Sequence, residues 1–208
     1  MSAPMTELPR LDDAALDRLF RQARSHNRWL PRPVAPALLR ELYALCAQGP
    51  TSANGCPARF VFIQDAAARA RLLPLLAPGN RDKSAQAPVT VLIAQDLAFH
   101  RHMDRLFAHN PDAARGFADK PALAEATAFR NSSLQGAYLM LAARALGLDC
   151  GPMSGFDAAG VEREFLQPLQ REGEQLRINF LCNLGHGDPA GLFARLPRLG
   201  FDEACWLL

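Results

Sequence analysis

Apolar residues recur at helical spacing in several segments of the chain. In residues 11–24 they fall at positions 11, 15, 16, 19, 20 and 23, which predicts an amphipathic helix. Pro36 suits the first turn of a second helix that runs to Ala47, and Gly49-Pro50 ends it. Residues 123–146 form the longest helical stretch, with apolar and small residues on most sides. We expect that helix to be buried all round, in a core or at a subunit interface.

Three apolar runs predict strands. Residues 59–64 and 176–184 have the composition and alternation of strands, and residues 89–95 are apolar on both faces, as in a central strand. Asp65 and Asp157 are placed to cap the helices that follow them. The pattern also predicts a turn at 78–80 before a short helix, a helix over 97–108, a weakly patterned segment over 110–121 and a loop over 151–156. Gly147 stands where the end of a helix favours a left-handed residue.

Composition and charge narrow the class of protein. Of 208 residues, 49% are hydrophobic and 21% are charged, which is ordinary for a soluble globular protein. A formal net charge of +2 without charge runs disfavours nucleic acid as a partner. We find no signal peptide and no apolar stretch long enough for a membrane helix, and the odd number of scattered cysteines favours a reducing compartment, so we expect a cytoplasmic protein. The whole chain is expected to form one α+β domain with three α/β/α layers, a central mixed sheet and a flexible segment over residues 1–10.

The cysteines and histidines do not predict a metal or disulfide site. The five cysteines are scattered and include no C-x-x-C pair, which disfavours zinc and a disulfide framework. His100 and His102 lie two positions apart, so a helix would point them in different directions. Cys56 could be a nucleophile, but no base is evident near it in the sequence. Rossmann, P-loop and Gly-x-Ser-x-Gly motifs are absent.

Four segments have the composition of an anion- or cofactor-binding site. Residues 24–29 combine arginine forks with a hydroxyl, although a solvated helix end has the same composition. Residues 49–57 form a tight Gly- and Pro-rich loop, and residues 151–156 lead into a helix N-terminus; both could equally be connecting turns. Residues 193–198 place two arginines in an apolar tail, where a surface salt bridge is the commoner outcome.

In this order, the four segments resemble the nitroreductase family of flavoproteins, from about Leu16 to the C-terminus. Within the family, four segments are most similar to the malonic semialdehyde reductase branch of the pyrimidine-degradation pathway: residues 49–54, 125–134, 151–157 and 194–199. The resemblance implies a homodimer with two FMN sites at the subunit interface and a C-terminal segment that crosses to the partner. It also implies hydride transfer through flavin N5, with NADPH or NADH as co-substrate and without a catalytic side chain.

The resemblance also implies roles for individual residues. The FMN phosphate and ribityl chain would lie near Arg24, Ser25, Asn27 and Arg195. The other subunit would contribute Pro50, Thr51, Ser52 and Asn54. The pyrimidine edge of the flavin would lie near Asn80 and Lys83. The isoalloxazine ring would lie beside Pro152, Met153, Ser154 and Gly155, with a backbone amide near residue 154 directed at N5.

The sequence departs from the family at three positions. Asn27 stands where the family usually has a basic residue, Ala58 where an aromatic residue follows the proline, and Ser154 where an acidic residue is common. The last two changes suggest a site that differs from a broad nitroaromatic reductase. The similarity of the four motifs to the malonic semialdehyde reductase branch makes reduction of malonic semialdehyde to 3-hydroxypropionate the first hypothesis.

The carboxylate of such a substrate requires a cation. Arg130 and Lys83 are the candidates, although Arg130 could instead form an ion pair with Glu125 or Glu164. Two alternatives to this substrate remain open, a broad-specificity nitro or quinone reductase and a flavin-binding protein without turnover.

Overall fold

A computed structural model describes residues 9–110 and 112–208, so most of the segment predicted to be flexible, residues 1–8, lies outside the described residues. Four strands lie within these described residues: β1 (Ala58–Ile63), β2 (Val89–Asp96), β3 (Asp149–Met153) and β4 (Leu176–Gly185). The α-helices are α1 (Asp13–Leu16), α2 (Pro36–Cys46), α3 (Ala66–Leu72), α4 (Pro78–Gln86), α5 (Met103–Leu106), α6 (Ala113–Ala118), α7 (Pro121–Ala145), α8 (Ala158–Val161) and α9 (Phe201–Ala204). Helices α1 and α8 continue as π-helical turns over Asp17–Arg21 and Glu162–Leu166.

The strands form one sheet in the order β1-β2-β4-β3. All three strand pairs are antiparallel, so the predicted mixed sheet is wrong in this respect. The one parallel pairing among the described residues is an isolated bridge between Ser25 and Cys150 at the β3 edge. Neighbouring strands of the sheet therefore run in opposite directions, and the long connections between strands contain the helices.

Helices cover both faces of the sheet, which confirms the three-layer arrangement. On one face, Leu42 of α2 and Leu139 of α7 pack with Val91, Ile93 and other residues of the sheet. On the other face, Leu72 and Leu76 pack with the α8 region against a second set of sheet residues. All eight residues of β2 are buried, as expected for a central strand between two layers of helices.

The predicted helix ends are largely confirmed. The Asp65 carboxylate accepts a 2.9 Å hydrogen bond from Ala68 N, and the Asp157 carboxylate accepts one of 3.1 Å from Gly160 N. Gly147 follows α7 with φ +86°, the left-handed conformation that glycine adopts without strain. Side-chain caps and glycine ends depend on neighbouring residues only, which is why the sequence identifies them.

Three local predictions are wrong. Asp149–Met153 is a strand, although a loop was predicted from residue 151 onwards, because these residues pair with β4. The strand lies at the edge of the sheet, where Pro152 is tolerated even though proline has no backbone N–H to donate. Pro78 begins α4 instead of a turn, since a proline is tolerated at the first helical position. The predicted helix over 97–108 is a 3-10 turn, Phe99–His102, followed by the short α5.

A large apolar surface remains exposed. On α7 it includes Phe129, Leu134 and Tyr138, and in the tail it includes Phe193, Leu196, Leu199, Phe201, Trp206 and Leu207. In the described part of the chain, no helix is both long and apolar enough to cross a membrane.

Candidate functional site

A cavity of about 770 Å³ lies where three parts of the chain meet. They are the N-terminal helix (α1 with the π-helical turn that follows it), the end of α7 and the C-terminal tail (residues 193–208). Among the described residues the lining of the cavity is basic and apolar and includes no acidic residue: Phe20, Ala23, Arg24, Ser25, Asn27, Arg144, Phe193, Ala194, Arg195, Leu196 and Arg198. The structure thus brings together Arg24, Ser25, Asn27 and Arg195, the residues proposed from the sequence to lie near a phosphate.

The segment that carries Ser25 and Asn27 is held by backbone hydrogen bonds at both ends. His26 N donates to Cys150 O at 2.9 Å, beside the bridge between Ser25 and Cys150. Further along, Leu30 N donates to His186 O at 2.8 Å. Gly151 permits this close approach, because a Cβ atom there would lie 2.5 Å from the carbonyl oxygen of His26. The cavity wall is therefore an extension of the edge of the sheet.

The side chain of His26 lies beneath this segment and is only 7% exposed. Its Nε2 lies 3.5 Å from Asp149 Oδ1, while Asp149 Oδ2 accepts a 2.9 Å hydrogen bond from Gly187 N. Asp149 thus joins the 25–30 segment, β3 and the loop after β4. His26 Nδ1 is buried and has no hydrogen-bond partner among the described residues.

The cationic groups of the cavity are bound to backbone carbonyls rather than to carboxylates. Arg24 donates to Phe193 O, Arg195 donates to Ala23 O at 3.2 Å, and Arg144 donates to Leu19 O at 3.2 Å. Arg198 donates only to carbonyls of its own segment. None of the four forms an ion pair with an acidic residue in the described part of the chain. Guanidinium groups without a counter-charge suit a phosphate, which they can bind through paired hydrogen bonds.

A second group of predicted residues meets at the other end of β3. Asn80, in α4, donates a 2.7 Å hydrogen bond to Gly155 O, and Ala77 N donates to the same oxygen at 3.0 Å. Lys83 lies almost one helical turn beyond Asn80 and is half-buried. Desolvation lowers the pKa of its amine from the ordinary value. The structure therefore joins Asn80 to the segment of residues 152–155, and Lys83 follows it on the same helix.

Within that segment the side chains alternate between the core and the surface. Pro152 and Ser154 are exposed, whereas Met153 is buried with Leu92 and Leu181. The hydroxyl of Ser84 lies 3.6 Å from the sulfur of Met153 and donates to it. Only the backbone of Met153 is therefore available to a ligand on the exposed side, while Pro152, Ser154 and Gly155 can also present their surfaces.

The loop before β1 contacts a third region. Ser52 N donates to Asn131 Oδ1 at 2.8 Å, and Asn54 Nδ2 donates to Leu106 O at 2.8 Å. No hydrogen bond between described residues joins this loop to the cavity, to Asn80 or to residues 152–155. Four of its residues are exposed or half-buried, namely Pro50, Thr51, Ser52 and Asn54.

The same loop has a strained backbone. Ala53, Asn54 and Cys56 have φ values of 49°, 49° and 43°, in the left-handed region that non-glycine residues disfavour. Such conformations occur preferentially at functional sites, where surrounding contacts impose them. The sulfur of Cys56 lies 3.7 Å from Thr51 Oγ1 and 3.6 Å from Asn54 Oδ1. Neither partner is a base, so these contacts do not favour a nucleophilic role.

Arg130 does not form the ion pair with Glu125 or Glu164 that was the structural alternative to a role in substrate binding. It is exposed on α7 and forms no ion pair with Glu125 or Glu164; the Glu164 carboxylate is instead 2.7 Å from Arg71 Nε. Its neighbour Asn131 holds the strained loop through Ser52. Arg130 is therefore an exposed cation close in sequence to the anchor of that loop.

A separate cluster of charges lies at the end of β2. Arg59 contacts Asp96 at 2.8 Å and Glu174 at 3.1 Å, and both carboxylates are buried. Ligand atoms of Asp96, His102 and Glu174 lie within 4.8 Å of one another, as in a metal site. However, Asp96 already accepts hydrogen bonds from Ala98 N and Gln175 N as well as Arg59, so the cluster is satisfied as an ion-pair network.

The structure adds Arg144 to the cavity, a residue that the sequence did not single out. It lies in the last turn of α7, where a basic residue is ordinary because it compensates the negative end of the helix dipole. No local pattern distinguishes this use from ligand binding. Only the convergence of α7 with the tail and the N-terminal helix reveals it.

Comparison with known proteins gives consistent matches. A sequence model described as "Nitroreductase family" matches residues 20–186. A relative from Burkholderia lata, provisionally named an NADH dehydrogenase/NAD(P)H nitroreductase, is 58% identical over 193 residues, which are 93% of this chain and 96% of the relative.

Two solved structures share the fold. A provisionally identified nitroreductase from Exiguobacterium sibiricum, in complex with FMN, has a TM-score of 0.80 at 19% identity and covers 97% of this chain and 100% of its own. A provisionally identified NAD(P)H:FMN oxidoreductase from Staphylococcus epidermidis has a TM-score of 0.77 at 17% identity and covers 98% and 100%.

Proposed function

This chain belongs to the nitroreductase family, and from that premise we propose that it is an FMN-dependent NAD(P)H oxidoreductase that reduces malonic semialdehyde to 3-hydroxypropionate. The observation that carries the cofactor assignment is the cavity that, in the part of the chain the structure describes, is lined by four arginines and by no acidic residue. Burying a phosphate group requires such partners, because leaving its charge uncompensated is costly. The FMN complex of a structural neighbour supports the same cofactor.

The residues divide between the two ends of the flavin. Arg24, Ser25 and Arg195 hold the phosphate, and Asn27 contributes a neutral amide to the same wall. Asn80 and Lys83 lie beside the pyrimidine edge, and Pro152, Ser154 and Gly155 lie along the ring. When bound, FMN supplies the redox chemistry by accepting a hydride from NADPH or NADH and delivering it to the substrate.

The functional unit is a homodimer in which the strained loop of one chain completes the site of the other. The exposed residues Pro50, Ser52 and Asn54 make no contact with the cavity of their own chain and are available to a partner. The exposed apolar side chains of the tail and of α7 also support a large subunit interface. This interface would cover both the tail and the exposed side of α7.

Substrate selection depends on a free cation near the ring. Arg130 is the candidate for the substrate carboxylate because it is exposed and has no acidic partner among the described residues. Lys83 is the other candidate, since its amine is half-buried beside Asn80. Hydride addition to the aldehyde carbon then gives the alkoxide, which takes a proton to form 3-hydroxypropionate.

A second function is favoured by the name of the relative from Burkholderia lata. That protein is provisionally named an NAD(P)H nitroreductase, and the same cofactor site serves a broad-specificity nitro or quinone reductase equally well. A flavin-binding protein without turnover is the third possibility. These three functions differ in the electron acceptor and not in the fold.

Two measurements test the proposal. The purified protein should be yellow and release FMN on denaturation; a preparation that neither contains nor takes up FMN would refute the cofactor assignment. NADPH and NADH oxidation is then compared with malonic semialdehyde, a nitroaromatic compound and a quinone as acceptors. The highest kcat/KM with the semialdehyde supports the proposed substrate, whereas a higher value with the nitroaromatic compound or quinone supports the second function.

Arg130→Gln provides a sharper test of the substrate assignment. If Arg130 binds the carboxylate, the KM for malonic semialdehyde should rise about tenfold while the KM for an uncharged quinone stays within about twofold. Arg163→Gln is a matched control, because Arg163 is also exposed and lies outside the site. An equal change with both acceptors would exclude Arg130 as the carboxylate-binding residue.

A further inference from the structure

Arg144 combines three features that its place in a helix does not require. Its side chain lines the cavity together with Arg24 and Arg195. Its Nη1 donates to Leu19 O, but its Nε is buried and has no hydrogen-bond partner among the described residues. It forms no ion pair with a described acidic residue. A partly buried guanidinium in this state has unused donors and an uncompensated charge.

Capping of α7 does not account for this arrangement. The carbonyl of Ala142 accepts from Leu146 N, that of Ala143 accepts from Leu148 N, and that of Arg144 accepts from Gly147 N. Arg18 Nε adds a 2.6 Å hydrogen bond to Arg144 O. The last carbonyls of the helix are thus satisfied by other groups, and the Arg144 guanidinium is left free to serve the cavity.

The anchoring of Arg144 differs from that of the other cations. Arg195 and Arg198 belong to an exposed segment without regular structure. Arg144 projects from a helix of 25 residues, and the Leu19 contact fixes its orientation against the π-helical turn. A cation positioned in advance loses little conformational entropy when it binds an anion.

We propose that Arg144 is a further binding residue for the phosphate group of the flavin and braces the N-terminal helix against α7 when that phosphate is bound. The inference rests on the proposed function, because it takes FMN as the ligand of the cavity. The charges of the cavity support it: Asn27 contributes only a neutral amide to the lining, and Arg144 brings a positive charge to the same cavity from a different element.

The test uses the difference between FMN and riboflavin, which share the ring and ribityl chain but differ in the phosphate. The purified holoenzyme is equilibrated with mixtures of the two flavins, and the bound ratio is determined by chromatography of the released flavins. Arg144→Gln should lower the preference for FMN over riboflavin about tenfold, the loss expected for one charged hydrogen-bond partner. Arg144→Lys, which keeps the charge but loses the fork, should lower it less.

Arg163→Gln is the control, since it removes an exposed arginine from outside the cavity, and its FMN preference should match that of the unaltered protein. An unchanged preference in Arg144→Gln would overturn the proposal, as would equal weakening of FMN and riboflavin, which indicates a structural role only. If Arg144→Gln does not fold, an unchanged preference in Arg144→Lys overturns it instead.

The two proposals fail in different ways. If the unaltered protein binds neither flavin, or binds both without a preference for FMN, the proposed cofactor site fails and Arg144 has no phosphate to bind. If the unaltered protein prefers FMN and the Arg144 variants retain that preference, only the role of Arg144 is wrong.

Discussion

The side-chain amide of Asn80 donates a 2.7 Å hydrogen bond to the carbonyl oxygen of Gly155, joining two segments that lie 75 positions apart in the chain. Ala77 N donates to the same oxygen at 3.0 Å, so the first turn of α4 is fastened to the loop after β3. This contact holds Asn80, and with it the helix that carries Lys83, against the segment that contains the exposed residues Pro152 and Ser154. The proposed ring end of the site therefore depends on it.

Replacing Asn80 should loosen this connection. Asn80→Ala removes the donor and should lower the free energy of unfolding by about 1 kcal/mol, the typical net value of one hydrogen bond. Asn80→Asp should cost more, because a carboxylate cannot donate to the Gly155 carbonyl and repels it. Urea unfolding measures both effects, and stopped-flow reduction of the bound flavin by NADPH should be slower in both variants.

Asn110→Asp is a suitable control for the Asn80 substitutions, since Asn110 is exposed and its side chain makes no hydrogen bond with the described residues. Its stability should stay within about 0.5 kcal/mol of the unaltered protein. If Asn80→Asp is as stable as that control, the hydrogen bond to Gly155 contributes nothing to holding α4.

Lys83→Met should stabilise the protein near neutral pH. Desolvation lowers the pKa of Lys83 in the folded chain, so the charged amine is disfavoured there relative to the unfolded chain. Its unfavourable contribution is complete below the folded pKa and disappears as the pH rises through that value towards the unfolded one. The stability difference between Lys83→Met and the unaltered protein should therefore shrink from pH 7 to pH 10. A difference that does not vary with pH would contradict this account.

The Arg59 network should be a major source of stability. Arg59→Leu leaves the carboxylates of Asp96 and Glu174 buried without their shared cation, which should cost roughly 3–5 kcal/mol in the free energy of unfolding. Arg115→Leu is the control: Arg115 and Asp112 are 77% and 86% exposed, and such pairs contribute less than about 1 kcal/mol. Equal losses in the two variants would show that burial does not strengthen the Arg59 network.

The same network predicts a dependence on acid. Burial alone raises the pKa of Glu174, but the hydrogen bond from Arg171 N and the contacts with Arg59 outweigh it, so the pKa is lowered overall. A lowered pKa gives stability that is present above the unfolded value, near pH 4.3, and is lost as the pH falls through the folded value. The loss in free energy of unfolding caused by Arg59→Leu should therefore become smaller when urea unfolding is measured below about pH 4.

Removing residues 200–208 should weaken the proposed dimer. This segment carries the exposed side chains of Phe201, Trp206 and Leu207, whose burial against a partner would stabilise the assembly. Sedimentation velocity should give twice 22.7 kDa for the full chain and a dimer dissociation constant at least about tenfold higher for the shortened one. Asp202→Ala, which removes an exposed charge from the same segment, should leave the dimer intact. A monomeric full chain would refute the dimer.

Local chemistry is the part of this structure that the sequence by itself determined. The extent of α7, the buried strand β2 and the capping residues Asp65 and Asp157 follow from spacing and from neighbours a few positions away. The order of the four polar segments also indicated the family. Hydrophobic periodicity shows which face of an element is buried, and this information is contained in the nearest residues.

Only the tertiary structure decided what those elements bring together. Residues 149–153 form a strand because β4 pairs with them, and this partner lies about 30 positions further along the chain. The cavity needs Arg24, Arg144 and Arg195 to converge from the N-terminal helix, the end of α7 and the tail. An arginine looks the same in the sequence whether its side chain caps a helix, forms an ion pair with a carboxylate or binds a phosphate. Its role is set by the groups within a few ångströms, and these come from distant parts of the sequence.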